Sequence, residues 1–381
     1  MEKIKSGITE LKLEESEIME MKDELILFYS SITDITEYYL RKKLDKLNQR
    51  NYTMVNNQLF DDTSVDPMDM DISVEIIDGS SFTNYTQQIA TFTIESQIGR
   101  QITLGIKENH SGKYLGFTRI SSPVSSIKPR NDMFGSNLPL SLVNQHFYNG
   151  QTIVPVQPFG YNYLGGKLIS LMCISNEVRE TYNKKYDTDI CVFETTSLYG
   201  NAKSSSMYDG LEPYIRFKGL TQSKNTLSPT DEIYGRIRSK VREEYGSIDW
   251  GGMIVNPKPS NPKGRELTKI IQIIKEHLKS FNMDEYNLFT NVMKEKSITL
   301  QQKRYYSSNM GFTNVLDCLN NSSTLISENQ EKYDTQNLIN YWKNKSHKRW
   351  KKLKEENKLQ DGLQYYTKDN IINGINFNII R

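Results

Sequence analysis

The sequence contains few cysteines and few histidines for its length. Its 381 residues include three cysteines and four histidines. The cysteines lie far apart along the chain, so they lack the close spacing of a zinc site and indicate no disulfide framework. We therefore expect no metal centre. Cys173 and Cys191 lie in apolar runs and are expected to be small buried side chains.

Long apolar runs are also absent. Hydrophobic residues make up 36% of the chain, and its mean hydropathy is −0.62. No segment approaches the roughly 20 apolar residues that a membrane-spanning helix needs. Residues 1–15 lack the apolar core of a signal peptide. The sequence therefore predicts a soluble, cytoplasmic protein with no membrane partner.

Neither sign of charge is in excess. The chain has 48 Lys and Arg against 46 Asp and Glu, a net charge of +2. Any surface that binds nucleic acid must therefore come from a local cluster of basic residues. Tyrosine is abundant, with 23 residues, and its ring packs as an apolar group while its hydroxyl stays polar.

The clearest architectural pattern lies between residues 152 and 201. An apolar run at 153–156 is followed by a glycine-bearing loop, a segment of helical periodicity and a second apolar run at 190–193. This order is typical of a βαβ crossover between two parallel strands. The loop of such a unit presents backbone N–H groups at the start of a helix, where an anion can bind.

The segment before this crossover contains a heptad of apolar residues from Ile18 to Tyr39, and one long helix is predicted over residues 8–48. That helix either pairs two subunits into a homodimer or folds back onto its own domain. An acidic linker follows. Strands are predicted at residues 72–77, 88–95, 102–108 and 113–120. The last two form a hairpin with His110 at its tip.

The segment after the crossover begins with a predicted strand at 214–218. Three prolines within residues 256–264 predict a domain boundary. The remainder is predicted to be helical, with helices at 267–281, 284–294, 299–306 and 336–356. The last helix is rich in lysine and contains Trp342 and Trp350. Such a helix either lies along a phosphate backbone or is simply a solvated face.

The order of elements over residues 88–220 resembles the central part of the GNAT acyltransferase fold. In that fold, a strand ends in a Gln/Arg-x-x-Gly-x-Gly/Ala loop whose N–H groups hold the pyrophosphate of acyl-coenzyme A. Gln157 and Gly160 match the first half of this motif, whereas Asn162 stands at the second glycine position. The resemblance implies a site for acetyl-CoA or another anionic donor, formed by Gln157, Gly160, Gly165, Gly166 and Lys167.

Four motifs together resemble a second family, found in phages and mobile elements. It includes the first component of the Druantia anti-phage system and proteins like the Mom DNA-modification protein. The motifs are residues 114–117, 127–132, 153–167 and 193–200. Mom converts adenine in DNA to a carbamoylmethylated form on a GNAT-like core. The resemblance implies a transferase that modifies bases in DNA, in the cytoplasm of a bacterial host.

These resemblances imply a fold class and a division into domains. We expect an α+β protein with a GNAT-like mixed sheet, a long N-terminal helix and an all-helical C-terminal domain. The predicted domains are residues 1–71 (helix and acidic linker), 72–255 (GNAT-like core) and 256–381 (helical and basic).

The resemblances also imply roles for individual residues. Asp132 and Glu194 are the general-base candidates, able to take a proton from an exocyclic amine. Tyr199 either returns a proton to a leaving group or stacks on an extruded base. The residues expected to contact DNA phosphate are Lys128, Arg130, Lys348, Arg349 and Lys352. Each residue also has an ordinary alternative as an exposed lysine, an ion-paired carboxylate or a packed tyrosine.

Two alternative functions use the same pattern. In the first, the core is a non-catalytic scaffold and the chain only binds DNA. In the second, the chain is an acyltransferase that acts on a protein or a small molecule. An enzyme needs an anion site and a base in one cleft, whereas a binding protein needs only the basic surface.

Overall fold

The computed structural model describes most of the chain, namely residues 11–47, 55, 57–94, 99–135, 138–199, 205–222, 227–245, 262–321 and 323–372. The chain divides into two compact units. Unit 1 is drawn from residues 1–38, 199–202 and 222–303, and unit 2 from residues 39–198, 203–221 and 304–381. The three domain ranges expected from the sequence stay a prediction.

The described residues form both helices and strands. The helices are α1 (Glu15–Ser31), α2 (Ile35–Leu47), α3 (Gly79–Ile89), α4 (Lys128–Phe134), α5 (Leu140–His146), α6 (Phe159–Asn162), α7 (Gly165–Met172), α8 (Asn176–Tyr186), α9 (Asp231–Tyr245), α10 (Pro262–Phe281), α11 (Met283–Gln301), α12 (Val315–Asn321), α13 (Thr335–Glu355) and α14 (Lys368–Ile372). The strands are β1 (Ile72–Ile76), β2 (Gln101–Glu108), β3 (Lys113–Ser121), β4 (Phe147–Pro155), β5 (Val192–Thr196), β6 (Arg216–Leu220) and β7 (Arg304–Ser308).

Unit 1 is helical, and α1 packs in it against α10 and α11. The buried face of α1 includes Ile18, Met21 and Leu25, which belong to the apolar heptad. Lys22 is also buried, and its Nζ lies 2.6 Å from Glu285 Oε2. The apolar heptad of α1 is therefore buried within its own unit. This agrees with the alternative in which the helix folds back onto its own domain.

The prediction of one helix over residues 8–48 is wrong, because two helices occur there. α1 ends at Ser31, Ile32 is extended, and α2 begins at Ile35. The Asp34 carboxylate accepts a hydrogen bond of 2.7 Å from the Thr36 N–H. Short polar side chains compete for backbone groups in this way and favour helix ends over helix interiors. Residues 8–10 and 48 lie outside the described residues.

Unit 2 is built on a mixed sheet which, within the described residues, has seven strands in the order β1-β2-β3-β4-β5-β7-β6. β4 and β5 are parallel, with Phe147 opposite Val192. The other neighbouring strands in that sheet are antiparallel. Because α6, α7 and α8 connect β4 to β5, the predicted βαβ crossover is confirmed.

Most of the other predicted strands are also present. β2 and β3 form the predicted hairpin, and strands occur near 72–77 and 214–218. The strand predicted at 88–95 is wrong, because α3 extends to Ile89. Asp78 caps α3 by accepting hydrogen bonds of 2.9 Å from the N–H groups of Ser80 and Ser81, which favours helix over strand from that point.

The prediction of an all-helical C-terminal domain is also wrong. A helix was expected over 299–306, but Arg304–Ser308 is a strand that lies between β5 and β6 in the sheet. Its tyrosines, Tyr305 and Tyr306, are buried, and aromatic residues suit a half-buried sheet. Helices do occur where they were predicted at 267–281, 284–294 and 336–356. None of the helices in the described ranges has the length and apolar character needed to cross a membrane.

A lysine of α2 is enclosed in unit 2. Lys43 has no exposed surface, and its Nζ donates to the carbonyl of Ala90. The same atom lies 5.4 Å from the centre of the Tyr366 ring. Burial disfavours the charged amine and lowers the pKa of Lys43 to about 7.

This buried amine predicts how stability depends on pH. Between its folded pKa of about 7 and its ordinary value of 10.5, Lys43 takes up a proton only on unfolding. The free energy of unfolding therefore falls by up to about 1.4 kcal/mol for each unit by which the pH is lowered through this window. The variant Lys43→Met has no amine at this position, so its free energy of unfolding does not fall in this way. We expect it to be more stable than wild type at about pH 7, with the difference shrinking towards about pH 10.

Urea denaturation at several pH values measures this difference. Lys184→Met is a suitable control, because Lys184 is exposed on α8. A constant difference between wild type and Lys43→Met across the pH range would show that the amine stays charged in the folded protein.

Candidate functional site

The two parallel strands of the sheet separate from each other. β4 and β5 pair over only three positions, Phe147–Asn149 with Val192–Glu194. Beyond these, β4 continues to Pro155 beside β3, and β5 continues to Thr196 beside β7. Ligands of open α/β sheets commonly bind in the crevice outside the carboxyl ends of separating strands. The segment that follows β4 is therefore where a ligand is expected.

The start of α7 leaves backbone N–H groups unused. Within the described residues, the N–H groups of Gly165 and Gly166 have no acceptor, whereas that of Lys167 donates to the Leu164 carbonyl at 2.9 Å. Both glycines are closely packed. A Cβ on Gly165 would lie 2.5 Å from the Phe159 ring, and one on Gly166 would lie 3.1 Å from the Met207 sulfur. Met207 therefore partly covers this helix start.

The preceding turn, by contrast, satisfies its own amides. The N–H of Gly160 donates to the Val156 carbonyl at 2.7 Å. The Gln157 side chain accepts from the Tyr161 N–H at 3.0 Å. The amides of 162 and 163 donate to carbonyls within the same turn. Of the five predicted cofactor-binding residues, Gly165 and Gly166 therefore keep unused N–H groups at a buried helix start beside Lys167, whereas Gln157 and Gly160 close a turn.

Lys167 is directed at a neighbouring segment. Its Nζ donates to the carbonyls of Met207, at 3.4 Å, and of Asp209. Burial lowers the pKa of Lys167 and the nearby Lys345 lowers it further, while Asp209 and Glu212 oppose this change. The amine thus joins the helix start to a polar cluster around Asp209.

The cluster around Asp209 was not identified in the sequence. The Asp209 carboxylate accepts from the Tyr306 hydroxyl at 2.7 Å, from Arg304 Nη2 at 3.1 Å and from the Ser206 N–H at 2.9 Å. Burial acts to raise the pKa of Asp209, but these donors and the charge of Arg304 hold it below its ordinary value. Asp209 is therefore ionised at neutral pH. Because a helix was predicted over 299–306, nothing in the sequence indicated that Arg304 and Tyr306 lie beside Asp209.

Glu194 lies in a different, closed environment. Its carboxylate accepts from Arg130 Nη1 at 3.0 Å and from the Tyr305 hydroxyl at 2.9 Å. Both Glu194 and Arg130 are only 1% exposed. Burial raises the pKa of Glu194, and the Arg130 guanidinium and the Tyr305 hydroxyl oppose that rise. Both carboxylate oxygens of Glu194 thus accept hydrogen bonds. This agrees with the alternative in which Glu194 is an ion-paired carboxylate and not a general base.

Arg130 is held on its other side by the chain that precedes α4. Its Nη2 donates to the carbonyls of Val124, at 2.7 Å, and of Ser125, at 3.0 Å. Its guanidinium therefore does not face solvent, where a DNA phosphate would have to meet it.

The other residues predicted around this site lie elsewhere. Asp132 is exposed on α4 and forms an ion pair with Lys128, four residues earlier. Because successive residues of a helix turn by about 100°, Asp132 and Arg130 lie on opposite faces. Tyr199 follows β5 and is half-buried, and it belongs to unit 1. The structure therefore does not bring Asp132 together with Glu194.

The basic helix α13 is anchored by its tryptophans. Both are buried, and Trp342 Nε1 donates to the Tyr163 carbonyl at 2.9 Å while Trp350 Nε1 donates to the Thr63 carbonyl at 3.0 Å. The Ser346 hydroxyl also donates to the Tyr163 carbonyl, at 2.7 Å. The tryptophans are therefore core residues and offer no stacking surface to nucleic acid.

The three predicted basic contacts on α13 are presented differently. Lys348 and Lys352 are exposed, and Lys352 lies 3.8 Å from Glu356. Arg349 is half-buried. Its Nε donates to the Tyr161 carbonyl at 2.8 Å, and its guanidinium lies 4.7 Å from the centre of the Tyr161 ring. Two lysines are thus available to an anion, and Arg349 already has a partner.

Side chains that bind metals are not grouped in the described ranges. No set of three or more His, Cys, Asp or Glu residues there could hold a metal ion.

Comparison with known proteins gives one match. The family described as Druantia protein DruA matches residues 29–254, which is more than half of the chain. Neither the curated proteins nor the solved structures contain a match.

The buried pair of Arg130 and Glu194 predicts a stability effect. Arg130→Met leaves the Glu194 carboxylate buried without its counter-charge, which typically costs about 3–5 kcal/mol. Replacing both residues, with Arg130→Met and Glu194→Leu, removes the stranded charge. We therefore expect the double variant to be more stable than Arg130→Met alone.

Chemical denaturation of the single and double variants tests this expectation. Lys128→Met is the matched control on the same helix, because its exposed ion pair with Asp132 is expected to contribute less than about 1 kcal/mol. Equal losses for Arg130→Met and Lys128→Met would mean that the buried pair makes no special contribution.

Proposed function

This chain belongs to the Druantia protein DruA family, and we propose that it serves an anti-phage system as a DNA-binding component built on a GNAT-like core. The proposal has two parts. The first is the basic surface that contacts DNA, and the second is the scaffold that carries it.

The observation that carries the first part is a row of lysines on α13. Lys345, Lys348 and Lys352 are spaced by three and four residues, so they lie along one flank of the helix. We call them the lysine stripe. Lys348 has no carboxylate partner within the described residues, and both Lys348 and Lys352 are exposed. Lysines held in a row can replace the counterions of successive phosphates.

The burial of the adjoining face of α13 strengthens this argument. Its buried residues are Leu338, Ile339, Trp342, Ser346, Trp350 and Leu353. A helix that is anchored in this way cannot rotate its lysines away from a ligand. The entropy cost of ordering this backbone is therefore part of the free energy of folding and does not reduce the affinity for a ligand.

The strand order supports the second part of the proposal. In the part of the chain that the structure describes, the sheet has one parallel pair, β4 and β5, which separate after three residue positions. A helix with free N–H groups begins after β4. This arrangement of strands and helix is the one that the GNAT resemblance implies. The agreement concerns topology only.

The state of the predicted bases favours binding over catalysis. Glu194 has both carboxylate oxygens occupied by Arg130 and Tyr305. Asp132 forms a surface pair with Lys128. A general base must reach the proton that it removes, but the Glu194 carboxylate is enclosed and that of Asp132 is paired at the surface. The apolar heptad of α1 is buried in unit 1, so it does not support the predicted homodimer.

A second candidate function is a transferase that modifies adenine in DNA. It is favoured by the free N–H groups of Gly165 and Gly166, which lie beside Lys167 and the ionised Asp209. The amides would bind an anionic donor, either acetyl-CoA or another compound. Asp209 would accept the proton of the exocyclic amine in place of Glu194, because its side chain is 35% exposed whereas that of Glu194 is 2% exposed. One of its present donors, Tyr306, Arg304 or Ser206, would have to move aside. No separate observation favours an acyltransferase that acts on proteins or small molecules.

The lysine stripe predicts how affinity depends on salt. The double variant Lys348→Ala/Lys352→Ala loses two phosphate contacts. We expect weaker binding to duplex DNA of any sequence, and a decrease of about 2 in the slope of log affinity against log salt concentration. Fluorescence anisotropy over a salt series measures both quantities.

The matched control is Lys184→Ala/Lys279→Ala, which removes two exposed lysines that lie off α13. The same loss in both double variants would show that net charge, and not the lysine stripe, governs binding.

The transferase candidate predicts a new nucleoside in DNA. Bacteria that express the protein would contain a modified adenosine, detectable by mass spectrometry after complete digestion of their DNA. We expect Asp209→Asn to abolish it and Asp132→Asn to leave it unchanged. Unmodified DNA, from cells in which the protein demonstrably binds DNA, would rule out this candidate and leave the first one intact.

A further inference from the structure

Tyrosine rings accompany the lysine stripe along α13. Tyr341 lies four residues before Lys345, on the same flank, and Lys345 Nζ lies 5.0 Å from the centre of its ring. The ring of Tyr214 packs against that of Tyr341 with centroids 4.8 Å apart. Further along the helix, Tyr161 lies beneath the guanidinium of Arg349. Aromatic and basic side chains therefore alternate along this flank.

These rings are fixed in place and yet partly exposed. Tyr161, Tyr214 and Tyr341 are each half-buried. The Tyr341 hydroxyl donates to the Glu212 carbonyl at 2.9 Å. Tyr333 packs against the other side of the cluster, with its ring 5.5 Å from that of Tyr214. Because the rings are already ordered, a planar ligand could stack on them without an additional cost in side-chain entropy.

The shape of nucleic acid decides what such a surface can bind. In a duplex the faces of the bases are stacked on each other, so they cannot stack on a tyrosine, and lysines reach only phosphates and groove edges. In a single strand the faces of the bases are open, and proteins bind such strands by combining a basic surface with aromatic side chains. From Tyr341 to Lys352, α13 rises by about 16 Å, which is enough for a short tract of nucleotides.

We propose that this flank of α13 binds an unpaired strand of nucleic acid, with phosphates on Lys345, Lys348 and Lys352 and bases stacked on Tyr341 and Tyr214. The inference rests on the proposed function and narrows its ligand from DNA in general to a single strand. The tyrosines supply the preference for unpaired bases, and the lysines supply the affinity that single strands and duplexes share.

Binding of labelled oligonucleotides to the full chain tests this inference. The test variant is Tyr214→Leu/Tyr341→Leu, because leucine retains apolar packing but removes the flat ring. We expect its affinity for a single strand to fall about tenfold, and its affinity for a duplex of the same sequence to change less than about twofold. Tyr214→Phe/Tyr341→Phe keeps both rings and should bind a single strand as wild type does.

Two controls accompany these variants. Tyr286→Leu removes a half-buried tyrosine of unit 1 and should leave both affinities unchanged. Thermal unfolding of every variant confirms that it is folded. The single strand is supplied as both DNA and RNA, and a preference of the wild type for either strand over the duplex supports the inference.

An abasic oligonucleotide provides a test on the side of the ligand. It keeps the phosphates but lacks bases, so wild type should bind it about as weakly as Tyr214→Leu/Tyr341→Leu binds the normal strand. The inference is overturned if wild type binds abasic and normal strands equally well. It is also overturned if an acidic polypeptide, added as a competitor, displaces the abasic and the normal strand from the protein equally well. If those results came with weaker binding by Lys348→Ala/Lys352→Ala, the proposed DNA-binding function would stand. If the lysine variant bound every oligonucleotide normally, that function itself would fail.

Discussion

The carbonyl of Tyr163 accepts two buried hydrogen bonds from α13, one from the indole of Trp342 and one from the hydroxyl of Ser346. Breaking either donor would leave a polar atom buried near the start of α7, which is costly. These bonds, with the apolar face around them, set the rotation of α13. The lysine stripe and the tyrosines beside it face outward as a consequence. One contact therefore positions both the basic surface and the glycine segment.

The buried ion pair of Arg130 and Glu194 has a comparable effect on what the core can do. It ties the loop before α4 to β5 of the sheet, with the Tyr305 hydroxyl as a third member. A pair of this kind is stable only while both partners remain. The Glu194 carboxylate is therefore not available for proton transfer, and the Arg130 guanidinium is not available to a phosphate. Asp209 remains as an ionised carboxylate whose charge acts on Lys167.

Local sequence patterns anticipated much of the fold. The βαβ crossover, the β2–β3 hairpin and the helices α10 and α13 follow from periodicity and glycine placement, and each is present. Two of the errors share one cause. At residues 88–95 and 304–308 the pattern suits both helix and strand, and the choice depends on a cap at Asp78 in the first case and on a place between β5 and β6 in the second. Neither factor can be read from periodicity.

The amino-acid sequence alone determined that this chain has a parallel crossover with a glycine-bearing helix start and a lysine-rich helix near its end, because those features depend on neighbours a few residues apart. Tertiary structure decided which charged groups are free. Arg130 meets Glu194 across 64 residues, and Arg304 meets Asp209 across 95. Burial and pairing at such separations depend on how the strands are ordered. A charge that is exposed and one that is enclosed look the same in the sequence.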